Sequence, residues 1–398
     1  HKLEKIFQNV ELFHNLFKKL NKLEIKFPSE VPLYSTNSGI FYRLKKFKNL
    51  KKLILNHNFS SFLGFLKFFN SVNDFMDFLP ELEELTIPDM DDSFVFPIIN
   101  KLKMLKLSKS TKNPLFLKSN SLNLDTFINI NSDYKMNFMR FPFNDNMKKT
   151  IKNLEINYSE IYIIPDNSKE IPYNCYSIID EFKELENLHI TEINFINFFD
   201  ISKYEKKSNI FLLPELKSLH IDNITWDNSI IPNYIISHVI GNNICNLKNL
   251  ETLKLPLFKY GIYNDIMNDL MKNISKLKLK TLHIGYLNVS VIYERNIEFY
   301  NDINYLSELE NLFVDELVFK DEFKNKEKKP ISETYNKLFN NIKLKFLYVG
   351  SINPNNMEGL ISHNECIQLF ENNINNLLNL EVLELPFWNY KIGSLLEN

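Results

Sequence analysis

A six-residue pattern, Leu-x-x-Leu-x-Leu/Ile/Val, returns along almost the whole chain. Clear copies are Leu50-Leu53-Leu55, Leu82-Leu85-Ile87, Leu102-Leu105-Leu107, Leu185-Leu188-Ile190, Leu216-Leu219-Ile221, Leu250-Leu253-Leu255, Leu279-Leu282-Ile284, Leu309-Leu312-Val314, Leu344-Leu347-Val349 and Leu380-Leu383-Leu385. Weaker copies are Leu20-Leu23-Ile25, Leu124-Phe127 and Ile151-Leu154-Ile156. These make about thirteen units at a mean spacing of roughly 30 residues, within the range of stacked supersecondary repeats. The last residues of each copy alternate with period two, which sends the leucines to one side of a short strand and the residue between them to the other. One such unit buries its leucines only against its neighbours. The pattern therefore predicts a stack of parallel strands, roughly 60 Å long at about 4.8 Å per strand. A chain of 398 residues exceeds what one compact core usually holds, and a stack resolves that without separate globular domains.

These motifs resemble those of leucine-rich repeat proteins, and the resemblance spans nearly the whole chain. It implies an α/β fold: one curved, horseshoe-like solenoid over residues 1–398, with a parallel β-sheet on the concave face and helices and irregular segments on the convex face. It also implies binding of a protein partner rather than catalysis. The residues between motifs fit the returning arm; Asn264 to Ser275, for example, places Ile266, Leu270, Met271 and Ile274 on one helical face. Residues 1–19 are expected to form a helix capping the first sheet edge. Residues 108–180 are the least regular stretch, and 320–330 (KDEFKNKEKKP) reads as a charged insertion. The asparagine that the family usually carries three residues after the strand is present at Asn58. In the same slot elsewhere stand Ile193, Ile224, Phe258, Leu287, Leu317, Ile352 and Trp388, so the turn amides there need other partners.

The slot after the first leucine holds Lys51, Glu83, Lys103, Asp125, Lys152, Glu186, Lys217, Glu251, Lys280, Glu310, Lys345 and Glu381 in successive units. The sign alternates throughout, which predicts a cross-strand ladder of opposite charges that fixes register and solubility. Between the two strand leucines, the outward residue is His189, His220, Lys254, His283, Phe313, Tyr348 and Glu384 in the last seven units. Phe346 lies on the same face, and Tyr286 and Phe387 stand near the strand ends. Exposed aromatics grouped on one face are common binding anchors. The candidate partner-binding residues are thus His189, His220, Lys254, His283, Tyr286, Phe313, Phe346 and Tyr348. The three histidines invite a metal reading, but Lys254 stands between His220 and His283 and opposes it.

Other activities find no support in the sequence. Asp89-Met90-Asp91-Asp92-Ser93 superficially resembles the aspartate motif of haloacid-dehalogenase phosphatases, but Pro88 and the repeat register contradict it. There is no glycine-rich phosphate loop, no His-Glu-x-x-His and no nucleophile elbow, so neither an enzyme nor a cofactor is expected. Arg43, Lys45, Lys46, Lys48, Lys51 and Lys52 form a basic cluster, yet Glu83 and Glu84 face it and the formal charge is -2, which does not describe a nucleic-acid surface. Cys175, Cys245 and Cys366 are too few and too far apart for a disulfide framework or a metal site. No apolar run approaches the roughly 20 residues that cross a bilayer, so no membrane insertion is expected. Alanine is absent and arginine occurs three times, which reads as an AT-rich coding bias. Two further roles fit the same scaffold, a substrate-recognition subunit of an assembly such as a ubiquitin ligase and a secreted or surface effector or adhesin. A cytoplasmic location is expected; an F-box-like helical segment before His1 would favour the first role, and a removed leader there would favour the second. Oligomeric state is not encoded in these patterns.

Overall fold

A computed structural model describes residues 18–26, 47–56, 79–87, 101–107, 123–129, 143–165, 173–176, 178–197, 213–226, 240–241, 243–255, 273–291, 306–321, 343–354, 370–371, 374 and 377–386. The chain forms two compact units, one of residues 1–160 with 178–191, the other of 161–177 with 192–398. Most of the helix expected at 264–275, of the cap at 1–19 and of the insertion at 320–330 lies outside the described residues, as does Asn58.

In the first unit β1 (Lys22–Lys26), β2 (Lys52–Asn56), β3 (Glu84–Ile87), β4 (Met104–Leu107) and β5 (Thr126–Asn129) pair in chain order, every pair parallel. The beginning of β6 (Asn153–Pro165) follows β5, and the beginning of β8 (Asn187–Asn197) follows β6. The register sets Leu23, Leu53, Leu85, Leu105, Phe127 and Leu154 side by side. From Leu53 onward these are buried. Phe143 closes the core, meeting Phe127 edge to face at 5.4 Å and Phe182 at 4.9 Å. It leads into a short helix, α1 (Asp145–Thr150), which starts where Asn144 Oδ1 accepts the Met147 N–H at 2.8 Å.

In the second unit β9 (Ser218–Ile221), β11 (Thr252–Leu255), β12 (Thr281–Val291), β13 (Asn311–Asp321), β14 (Phe346–Pro354) and β15 (Val382–Glu384) form a parallel series. Leu219, Leu253, Leu282, Leu312, Leu347 and Leu383 stand in register, buried except for Leu383 on the last strand. Also here, β10 (Ile224–Trp226) pairs with Ile193–Phe195 of β8 in parallel, and β7 (Tyr173–Tyr176) pairs antiparallel with the end of β6. Thirteen motif copies thus lie on thirteen strands. The chain folds as a leucine-rich-repeat-type solenoid of parallel strands.

The hydrophobic slots that replace the expected asparagine have a structural role. Past a one-residue break in the pairing at Gly285, Asp315 and Gly350, strands β12, β13 and β14 run on and pair a second time, with Leu287, Leu317 and Ile352 in register and buried. Ile193 and Ile224 repeat the arrangement, and the Ile193 N–H donates to Asn223 O at 2.9 Å. The amides that an asparagine would have satisfied are satisfied by neighbouring strands instead.

Asparagine acts at the opposite corner, one residue before the first leucine. Asn49 Nδ2 donates to Lys18 O at 2.6 Å and Asn249 Nδ2 donates to Pro214 O at 2.7 Å, each one repeat back. That corner is itself a repeated turn. The first-leucine N–H donates to the carbonyl three residues earlier at Leu50, Leu82, Leu185, Leu216, Leu250, Leu309 and Leu380. The residue supplying that carbonyl, Phe47, Leu79, Phe182, Leu213, Leu247, Leu306 or Leu377, is buried each time. The motif therefore begins three residues earlier than the leucine pattern suggests.

The charged slot is held by shared carbonyls. Lys51 O accepts the N–H of both Glu83 and Glu84, Glu83 O accepts those of Lys103 and Met104, and the same doubling continues through Lys103, Asp125 and Lys152. In the second unit it runs through Lys217, Glu251, Lys280, Glu310 and Lys345. Backbone geometry thus stacks one charged residue on the next, and only alternating sign avoids repulsion. Lys51 and Lys103 meet Glu83 at 2.9 and 3.7 Å, Lys152 meets Glu186 at 3.5 Å, and Lys280–Glu251 and Lys345–Glu310 close at 2.9 Å. Hydrogen bonds from Lys51 and Lys345, reinforced by their charges, hold Glu83 and Glu310 below the usual 4.5, while the same contacts raise Lys51 and Lys345 above 10.5.

The signs fix a pH window. A depressed carboxylate stabilises the fold above its unfolded pKa and loses that contribution as pH falls through the folded value; a raised lysine does so below its unfolded pKa and loses it as pH rises through the folded value. The ladder is complete between those limits. In low salt, Glu83→Gln should lower the melting temperature by a few degrees at neutral pH, since exposed pairs are weak. That gap should close as the buffer is taken below the depressed Glu83 pKa. A gap unchanged in acid would show that Glu83 acts through packing rather than charge.

Candidate functional site

The outward residues of β9 and β11–β14 form one continuous surface of the second unit, because the buried leucines on either side of each fix their direction. The register reads His220, Lys254, His283, Phe313, Tyr348 and Glu384 from β9 to β15. One row nearer the strand starts, Ser218, Thr252, Thr281, Asn311, Phe346 and Val382 stand side by side. Asn311 Nδ2 donates to Thr281 Oγ1 at 3.1 Å within that row.

The rows differ along their length. At the β9 end, His220 Nε2 is 2.7 Å from Asp222 Oδ1 and Lys254 Nζ reaches the same oxygen at 3.4 Å. Both contacts thus converge on Asp222 Oδ1. At the β12–β14 end, rings take over. Phe313 lies 5.5 Å from the His283 ring, 4.8 Å from Phe346 and 6.3 Å from Tyr348, with interplanar angles of 33–38°. His283 is in turn fixed by Asp315, whose Oδ1 is 2.9 Å from Nε2. The cluster continues into Val382, which is 43 % exposed beside Phe346.

Six of the eight residues expected at the site, His220, Lys254, His283, Phe313, Phe346 and Tyr348, thus share one face. Tyr286 is on β12 opposite Glu316, beyond the break in pairing at Gly285, and its side chain lies outside the described residues. His189 is on the first half of β8, half-buried, in the other unit. Sequence reading missed Asp222 and Asp315, which orient the two histidines. Both follow the last strand leucine position directly, at Ile221 and Val314, and that recurrence was the available signal.

The first unit presents a more polar version of the same face. Asn187 Nδ2 donates to Asn153 Oδ1 at 2.7 Å and Asn153 Nδ2 to Thr126 Oγ1 at 3.1 Å, while Lys52 pairs with Glu84.

No protein-family model matches the sequence, and neither does any curated protein. Among solved structures, an internalin from Listeria monocytogenes is similar over 96 % of this chain and 92 % of its own, with 13 % sequence identity and a TM-score of 0.41. No described helix is long and apolar enough to cross a membrane.

Proposed function

We propose that this protein is a non-catalytic interaction scaffold whose protein partner docks on the outward sheet face of the second unit, across His220, Lys254, His283, Phe313, Phe346 and Tyr348. The observation that carries this reading is the packed group of rings about Phe313. Elsewhere on that face the same rows hold serine, threonine, asparagine and charged residues, so a cluster of large rings is costly in solubility and has no role in the leucine core. Aromatic side chains offer wide contact area with few rotatable bonds, and a few of them usually dominate a protein interface. The apolar edge supplied by Val382 fits the same use.

The test compares capture by the wild-type protein and by the Phe313→Ala/Tyr348→Ala variant, each immobilised and exposed to extract from the native source. A specific partner should be retained by the first and lost by the second. Tyr348→Ala alone should weaken that complex by about 1 to 3 kcal/mol with an unchanged circular-dichroism spectrum. Equal capture of the same partner by the double variant would move the site off this face.

A further inference from the structure

The β15 turn ends the stack of the second unit on an uncovered edge. Among the described residues, no strand pairs with the far side of β15. Leu380, Leu383 and Leu385 are only half-buried, whereas the same positions one turn back, Leu344, Leu347 and Val349, are at most 1 % exposed. The corner residue of this turn is Leu378, 93 % exposed, in a slot that holds Lys48, Pro80, Lys183, Pro214, Lys248 or Ser307 in other turns.

The turns within the stack show what such an edge accepts. The N–H groups of Glu381 and Val382 both donate to Lys345 O, and Glu381 O is the next carbonyl of that series; among the described residues no backbone N–H donates to it. An added parallel strand would bring it two consecutive N–H groups, as each turn does for the turn before. The charged row alternates in sign and reaches Glu381 after Lys345, so the residue that stacks next without repulsion is a cation. At the corner, Asn249 Nδ2 donates to Pro214 O and Asn49 Nδ2 to Lys18 O, each from the following turn. Leu378 O is the equivalent carbonyl of the last turn.

We propose that β15 takes a parallel strand from a different protein, an extended segment of the form Asn-Leu-Lys/Arg-x-Leu-x-Leu/Ile/Val. Its cation stacks on Glu381, its apolar residues cover Leu380, Leu383 and Leu385, and its asparagine reaches Leu378 O. Charge opposes a second copy of this chain as the occupant. In that register, β1 of another copy would set Glu24 beside Glu384 and the neutral Asn21 beside Glu381, and two β15 edges would bring Glu381 and Glu384 of each together. The edge is distinct from the ring face, and the assignment does not depend on the docking reading above.

The chain's own β2 turn, Phe47–Asn56 (FKNLKKLILN), has this form and serves as the probe. As a fluorescein-labelled peptide titrated with the full 398-residue chain and followed by fluorescence anisotropy, it should bind saturably. Its Lys51→Glu version should bind about fivefold more weakly in low salt. Glu381→Lys in the protein should reverse the order of the two peptides, an outcome that misfolding of the variant cannot imitate. Phe313→Ala/Tyr348→Ala should leave both affinities unchanged. Absence of saturable binding, or a peptide preference unmoved by Glu381→Lys, would overturn the strand assignment. Loss of binding in the ring variant would also overturn it, by placing the peptide on the docking face. Light scattering that shows self-association abolished by Leu378→Lys would overturn it by assigning the edge to a second copy.

Discussion

Leu312→Ala should destabilise the protein by about 2 to 5 kcal/mol, the ordinary cost of emptying a fully buried leucine site. Leu312 has no exposed surface and stands in register between Leu282 and Leu347, so the cavity opens between two neighbouring turns of the stack. Because a repeat fold is held by nearest-neighbour contacts, the loss should be concentrated there. Hydrogen exchange should accelerate most in β12, β13 and β14, and less in β2–β4. Leu383→Ala should cost less, since Leu383 is only half-buried on β15. Equal destabilisation by the two substitutions, or uniform acceleration of exchange across the chain, would contradict nearest-neighbour stacking.

Gly350→Ala is expected to cost about 1 to 3 kcal/mol although it adds a single methyl group. The new Cβ would meet Asp315 O at 2.5 Å and Asp315 C at 3.2 Å, which are backbone atoms of the paired strand and have little room to yield. Gly241 offers the internal control. There the nearest atom is Asn273 Nδ2 at 2.7 Å, the far end of a side chain that can rotate away, so Gly241→Ala should be far milder. Urea denaturation of the two variants measures the difference. The Gly350 variant should also bind its partner less well, because a displaced Asp315 no longer holds His283 at 2.9 Å. Comparable midpoints for the two variants would mean that the β13–β14 corner is looser than its geometry implies.

The strands were legible in the sequence because period-two alternation is a local signal that needs no knowledge of neighbours. Even the weak copy around Phe127 lies on a strand, since a phenylalanine fills the leucine site as well. The charge ladder was legible for a related reason, as one slot per turn is enough to show alternation. What stayed hidden depends on contacts between turns. Leu287, Leu317 and Ile352 read as failures of an asparagine pattern until the second run of strand pairs showed them as core. Asn49 and Asn249 do an inter-turn job of the kind expected of asparagine, but from the other corner, where no established pattern pointed. At the proposed docking face, alternation gave the outward direction of His283, Phe313 and Tyr348. Their spacing from one another follows from strand register, which a single strand does not contain.

The shared-carbonyl ladder sets a rule for how such a chain can change length. Excising the turn that carries Glu83 would bring Lys51 directly onto Lys103, and the like charges would meet at the spacing now occupied by ion pairs of 2.9 and 3.7 Å. Excising two adjacent turns would restore a lysine next to a glutamate or aspartate. Parity is therefore built into the stack: an even change in the number of turns keeps opposite charges adjacent, whereas an odd change leaves one like-charged pair, a modest cost at an exposed site that is removed by reversing every charge on one side of the join.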